Sequence, residues 1–441
     1  MYHGAVRRNK NKSRSGNRSM KPFLILLVVL VLASGSFSYE WFITKPYVDQ
    51  STVKLGGYWS DVYPRWYGAR ELLIHDRDPY TQEITREIQI GFAGRPITDP
   101  TSDQEAFAYP LFVVVPLAPL VSLNFSVVKR LSAVVAWLAA ILSSGLWAKA
   151  LGVRLSKAQL ALWTIAAVCS LPMSVGIILQ QISLIALVVL GLALFFAGRR
   201  LLLLSGALLA FAWVKPQLSV LPTILLLTWA ALHRGQRKMV WAFGLTLFVL
   251  WAIGEYLLPG WAFEWTHAVH SYTLYTGPSI LRIIVGSRAA PILTGAMILI
   301  YGLIGVTAAR RSTQINSEQM LLALSLALAI EVVILPNGPR GLYNQVMLLP
   351  VILALWKLRS QFRFSALRPL YVLAVLWLVV PALIALIVVI KATFVGSPRP
   401  PTYAPFNIQL FFPAVLVMLI VAFLLRLSAE SFSLSEASRV G

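Results

Sequence analysis

Apolar residues run in blocks along this chain, and polar residues collect between the blocks. The first block covers residues 23–43. Others follow at about 131–148, 158–176, 180–197, 201–214, 216–232, 239–257, 291–309, 318–335, 342–357, 369–391 and 408–427. A helix of about twenty apolar residues crosses a bilayer, and uniform apolarity marks a span rather than an amphipathic surface helix. The pattern predicts an all-α, polytopic integral membrane protein with about twelve transmembrane helices, roughly eleven to thirteen. Two stretches depart from straight spans. Residues 201–232 are too long for one helix and carry Lys215-Pro216 in the middle, so they read as two short helices meeting near the outer face. Residues 107–123 hold Pro110, Pro116 and Pro119 and read as an interfacial or re-entrant segment that returns to the outer face.

The polar stretches set the organisation. Residues 44–106 carry ten of the 17 acidic residues, so charge bias puts them outside the membrane. With 107–123 they make a first outer loop, 44–123. Within it Tyr63 to Ile74 carry aromatic and aliphatic residues at helical spacing, which predicts an amphipathic helix at the interface. The expected layout is a basic cytoplasmic tail (1–22), a transmembrane module (23–257), a second outer loop (258–290), C-terminal transmembrane helices (291–427) and a cytoplasmic tail (428–441). No small-residue cleavage site stands among Tyr39, Glu40, Trp41 and Phe42, so residues 23–43 read as a retained first helix with its N-terminus inside. The expected location is the plasma (inner) membrane.

Composition agrees and excludes alternatives. Hydrophobic residues make up 58% of the chain and charged residues 12%, against about one-quarter charged in a soluble domain. A soluble enzyme, a secreted disulfide scaffold and a disordered chain are excluded. The net charge of +21 would suit nucleic acid, but the basic residues sit in short loops where the positive-inside rule collects them. The lone Cys169 excludes an intrachain disulfide. No phosphate-binding glycine loop and no metalloprotease helix motif occurs, and the cytoplasmic loops are too short for a nucleotide-binding domain. Chemistry belongs at the outer membrane–water boundary, on lipid-linked or extracytoplasmic substrates.

One ordered set of short motifs stands out. GGYWSDVYPRWYGARELLIHDRDPYTQE (56–83) contains Asp61, the aromatic and small residues Tyr67 to Ala69, Leu72-Leu73 and Asp78-Pro79-Tyr80. Tyr109-Pro110 follows, then Gln180-Gln181, Arg199-Arg200, Ser205-Gly206-Ala207 and Lys215-Pro216-Gln217. The set resembles the GT-C glycosyltransferases, integral membrane enzymes that take a sugar from a polyprenyl-phosphate carrier. More narrowly it resembles the bacterial branch of polyprenyl-phosphate-sugar-dependent mannosyl- and arabinofuranosyltransferases. The chain departs from that branch at Gln180, where glycine is common, and at PNGPRGLYNQVMLLP (336–350). There Asn344 stands for an aspartate and Gly341 falls about where a histidine would be.

The resemblance implies transfer of one sugar, mannose or another hexose, from a polyprenyl-phosphate donor to an extracytoplasmic lipid or glycan hydroxyl. Transfer to an alcohol with inversion needs one base for the acceptor proton. Asp61, an outward carboxylate after the first helix, is the candidate. A leaving lipid phosphate needs cations. Lys215, set in an apolar region, and Arg340, in an outer turn, are expected to bind it. Arg65, Tyr80, Tyr109, Gln181, His267, Tyr343 and Asn344 are expected sugar contacts. Glu331, inside an apolar helix, reads as facing the cavity, pairing with Arg340 or making a polar contact between helices. No metal site is expected: Asp76-Arg77-Asp78 has a cation-binding spacing that a monophosphate donor does not need, and His267 and His270 lack further ligands. No cofactor is indicated. Two other readings remain open: a transporter or flippase of lipid-linked sugars, which would carry repeats of broken helices, and a lipid-linked glycan polymerase or ligase.

Overall fold

The computed structural model describes residues 16–47, 56–99, 102–275, 277–335, 339–363, 365–396 and 402–440. Among these residues there are helices and no β-strand. Helix α1 (Gly16–Ser38) runs into a π-helical turn, Tyr39–Thr44. The first fifteen residues of the expected basic tail lie outside the described residues. The first outer loop supplies α2 (Val62–His75) and α3 (Gln82–Ala93). Then come α4 (Phe125–Ala150), α5 (Lys157–Val168), α6 (Leu171–Ile178), α7 (Ile182–Gly198), α8 (Leu202–Ala212), α9 (Val220–Leu232) and α10 (Lys238–Leu257). After these follow α11 (Trp261–Tyr275), α12 (Ile280–Arg311), α13 (Glu318–Ile334), α14 (Leu349–Lys357), α15 (Arg368–Val395), α16 (Ala404–Leu410) and α17 (Phe412–Val440).

Among the described residues six stretches are long and apolar enough to cross a membrane: Leu26–Tyr47, Phe125–Ala150, Arg234–Leu257, Ile280–Arg311, Arg368–Val395 and Ala404–Arg426. Helices α5 and α6 make a further span, bent by 64°. The bend falls where Ser170 and Pro172 interrupt the expected 158–176 block, because proline cannot donate to the preceding turn. Shorter apolar helices, α7, α8 and α9 among them, complete the polytopic all-α architecture that hydropathy predicts. As expected, the 201–232 block is two helices, separated by a 3₁₀ turn at Pro216–Leu218. The proline-rich segment is three short turns, Leu111–Val113, Val114–Leu117 and Ala118–Leu120.

Other differences have local causes. Much of 258–290 is helical: α11 fills its first half, and Ser279, accepting from the Arg282 N–H at 3.1 Å, starts α12 earlier than the apolar block. Gly286, at φ 81°, kinks α12 near its beginning. Helix α2 buries residues on every side, including Arg65 and Glu71, instead of showing one polar face. Helices α3 and α4 and the 111–120 turns pack around it.

Two cores result. The larger joins α4, α7, α9, α13, α14 and α17 around α13, whose residues Met320 to Val333 are all buried. The smaller unites Val62, Trp66, Ile84, Phe92, Phe107 and Phe112 of the first outer loop with Ile182, Leu250 and Trp261. The outer loop is therefore a packed unit continuous with the starts of α7 and α11 and with α10. Arg77 locks it, pairing with Glu71, Glu83 and Glu87 at 2.8–3.1 Å.

Helix α8 packs closely on α10 through the Ser205-Gly206-Ala207 stretch. A Cβ at Gly206 would strike the Met239 carbonyl oxygen and lie 2.9 Å from the Ala242 Cβ. Small residues at such crossings let backbones approach. Gly206→Val should cost about 1–3 kcal/mol through overpacking. Thermal unfolding of the purified variant in detergent will read this as a lower midpoint.

Candidate active site

A corner, a break and a helix start bring the polar residues together. The corner joins α6 to α7. Gln180 lies there at φ 50°, a left-handed conformation that favours glycine. Its side chain compensates: the amide donates to the Ile178 carbonyl at 2.5 Å, and its oxygen accepts from Ser60 Oγ at 2.5 Å. The Gln180 carbonyl accepts from Arg65 at 3.2 Å. The corner thereby ties α7 to the start of α2.

Asp61 is the N-cap residue of α2, yet its side chain makes no capping bond. The carboxylate instead accepts from the Gln181 side chain. The Asp61 backbone N–H donates to Leu179 O at 3.1 Å, and its carbonyl accepts from Arg65 Nε at 2.9 Å. The Asp61 backbone is pinned, and the residue as a whole is half-buried. Burial among protein atoms pushes this carboxyl up to about 7; nearby Asp103 acts in the same direction, and Arg65 and Lys215 oppose it. Arg65 also lies over the Tyr109 ring at 5.2 Å.

Lys215 stands in the α8–α9 break and is buried. Its ammonium donates to Ser183 Oγ at 2.8 Å and Asn344 Oδ1 at 2.9 Å, and lies 4.7 Å from the Tyr343 ring centroid. Ser183 also donates to Asn344 at 3.0 Å. Gln181 bonds Tyr343 as well as Asp61 and so joins the carboxylate to the lysine side of the group. Among the described residues no carboxylate lies within ion-pair distance of the Lys215 ammonium.

An apolar groove of about 450 Å³ opens beside this group. It is lined by Pro110, Phe112, Trp213, Pro216, Phe248, Trp251, Trp261 and Trp265. Pro110 follows Tyr109 and Pro216 follows Lys215, so the groove begins where the polar group ends.

The profile of Glycosyltransferase family 87 matches residues 107–336, just over half of the chain. The chain belongs to this family. It is a multi-pass membrane glycosyltransferase that uses a sugar donor and an acceptor. No curated protein and no solved structure matches it. Tyr109, Gln181 and Lys215 lie within the matched region of the glycosyltransferase; Asp61 and Asn344 lie outside it.

Of the residues expected from the sequence, Asp61, Arg65, Tyr109, Gln181, Lys215, Tyr343 and Asn344 form this one group. Tyr80 reaches it at one remove, donating to the Tyr109 carbonyl at 2.7 Å. His267 does not join: it is exposed on α11 with its ring against Phe263, and no described contact links it to the others. The side chain of Arg340 lies outside the described residues. Asp78 caps a turn through the Tyr80 N–H at 2.8 Å. Sequence reasoning did not single out Ser183, or Gln180 as a built corner; Tyr272 of α11, which the sequence offers as an aromatic-belt or sugar-stacking residue, lies near Tyr343, Tyr109 and Asp103. A serine near a helix start carries no signal of its own.

The raised Asp61 carboxyl has a consequence for stability. Between an unfolded value of about 3.9 and about 7 the folded state holds a proton that the unfolded chain has released. Stability attributable to Asp61 therefore falls as pH rises through that window and stays low above it. Asp61→Asn should raise the thermal unfolding midpoint at pH 8, and the advantage should vanish as pH approaches 4.

Proposed function

We propose that this glycosyltransferase moves one sugar, mannose or another hexose, from a polyprenyl-phosphate donor to an extracytoplasmic hydroxyl, with inversion at the anomeric carbon. The observation that carries the proposal is Lys215, a buried cation whose hydrogen-bond partners, Ser183 and Asn344, are neutral. An unpaired buried charge is costly and suits an anionic ligand. The adjoining apolar groove suits the first isoprene units of a lipid chain. The start of α7, at Ile182, adds a partial positive charge to the same place.

In this reading Asp61 is the base. The acceptor oxygen attacks the anomeric carbon while Asp61 takes its proton. The bond from that carbon to the phosphate oxygen breaks, and its electron pair leaves with polyprenyl phosphate. Lys215 stabilises the charge that develops there, and Arg340 is a second candidate from its place in the outer turn. Arg65 positions the Asp61 backbone. Tyr109, Tyr343, Asn344 and Gln181 would contact the sugar or its phosphate, with Tyr80 supporting Tyr109. Residues 44–123 and 258–290 would frame the acceptor.

Charge supports an extracytoplasmic site in the plasma membrane. The start of α7 faces the polar group; its other end, roughly 25 Å away, leads into Arg199-Arg200. Helix α9 ends before Arg234, and α12 ends at Arg310-Arg311. These basic ends mark the inside. The family match, together with a desolvated carboxylate next to Lys215, favours transfer over transport of a lipid-linked sugar.

The test is transfer by purified protein in nanodiscs, with radiolabelled polyprenyl-phosphate sugars and a membrane lipid extract as acceptor. Labelled product identifies the donor; product from nucleotide sugars alone overturns the proposal. Asp61→Asn should lower the rate by roughly 100-fold or more. The wild-type rate should rise about tenfold per pH unit below 7 and level off above, as the carboxylate ionises. Asn344→Asp should give Lys215 an internal counter-ion and weaken polyprenyl-phosphate binding roughly tenfold, without changing this pH profile's shape.

A further inference from the structure

Lys215 owes its place to a break in the helix, and the chain holds that break from two sides. On leaving α8 the backbone turns through Trp213, Val214 and Lys215 and resumes as α9 at Val220. Ser219 occupies the N-cap position of α9 at φ −140° but does not cap it. Its hydroxyl turns back to the Ala212 carbonyl at 2.9 Å and the Lys215 carbonyl at 3.4 Å. That staples the break shut and leaves the first amides of α9 in need of an acceptor.

The acceptor comes from a helix more than a hundred residues later. Glu331 of α13 is buried, and its Oε1 accepts the Leu221 N–H at 2.7 Å. The Val220 N–H faces the same carboxyl, whose Oε2 has no hydrogen-bond partner among the described residues. Tyr301 of α12 donates to the Leu221 carbonyl at 3.2 Å. Helix α13 also packs against the Pro216–Leu218 turn. The sequence leaves Glu331 as a cavity residue, a partner of Arg340 or a polar contact between helices; its described hydrogen bond goes to the backbone of α9. No lysine, arginine or histidine pairs with it among the described residues. A buried carboxyl in a transmembrane helix is costly, and uncapped amides in the same interior are costly too. Oε1 and the Leu221 amide each meet the need of the other.

We infer that Glu331 is a positioning residue for Lys215. It fixes the first turn of α9, and through the six-residue path from Val220 back to Lys215 it fixes where the ammonium points. It does not touch the substrate. The inference rests on the reading of Lys215 as the donor-phosphate ligand.

The experiment measures binding of a short-chain polyprenyl phosphate to purified protein in nanodiscs. It compares wild type, Lys215→Ala, Glu331→Ala, Glu331→Gln and the Lys215→Ala/Glu331→Ala pair. Glu331→Ala should weaken binding roughly tenfold, as the loss of a buried hydrogen bond would. Glu331→Gln keeps an acceptor oxygen and should return to within about threefold of wild type. The pair should bind no worse than Lys215→Ala alone, because Glu331 acts only through Lys215. Losses that multiply in the pair, or unchanged binding by Glu331→Ala, overturn the inference. If Lys215→Ala binds as well as wild type, the donor-phosphate reading falls first and takes this inference with it. If Lys215→Ala loses binding while Glu331→Ala keeps it, only the inference falls. Should Glu331→Ala fail to fold, Glu331→Asp takes its place under the same outcomes, since the shortened side chain keeps its carboxyl but cannot reach Leu221.

Discussion

A helix that breaks within a membrane exposes amides and carbonyls that lipid cannot satisfy. Everything at the polar group of this glycosyltransferase follows from how two such interruptions are made good. At the α6–α7 corner Gln180 satisfies the end of α6 with its own side-chain amide and ties the corner to Ser60 and Arg65. At the α8–α9 break Ser219 and Glu331 divide the same duty. The interruptions put Gln181 and Lys215 at helix ends, where side chains can converge from different directions. An uninterrupted bundle of these lengths would turn the same residues toward neighbouring helices.

The outer loop depends on those interruptions as well. Its small core runs without a gap from Trp66 and Phe107 to Ile182 and Trp261. Helix α2 is therefore not a free element resting on the membrane. It is seated on the α6–α7 corner, with Asp61 bonded to Leu179 and Gln181. The position of the carboxylate and the position of the lysine are set by one framework.

Much of this was legible in the sequence. Long apolar blocks with basic loops give the spans, because burial in lipid demands uniform apolarity. Lys215-Pro216 announces its break, since proline and a buried charge both disfavour a continuous helix. Asp61, Gln181, Tyr343 and Asn344 stand out as polar residues at the edges of apolar blocks. What stayed hidden depends on contacts across long separations. Ser183 looks like any helix serine until Lys215 is beside it. Glu331 could be recognised as costly but not assigned a partner, because Leu221 offers only its backbone. His267 misled for the opposite reason: a histidine in an aromatic outer loop looks like a ligand, yet on α11 it faces outward against Phe263. The family profile likewise begins after Asp61, so the carboxylate stood out by its setting and by the motif resemblance around it.

Helix α13 is enclosed by protein over nearly all its length. Its apolar surface therefore serves the bundle, not the lipid, and this bears on how the chain is made. The groups that Glu331 bonds, on α9, and the tyrosine beside them, on α12, are synthesised earlier. When α13 leaves the ribosome and enters the bilayer, a docking place for its carboxyl already exists. Helices α14 and α17 then close over it. The N-to-C order of synthesis matches the order in which the interior can be filled without stranding a carboxyl in hydrocarbon.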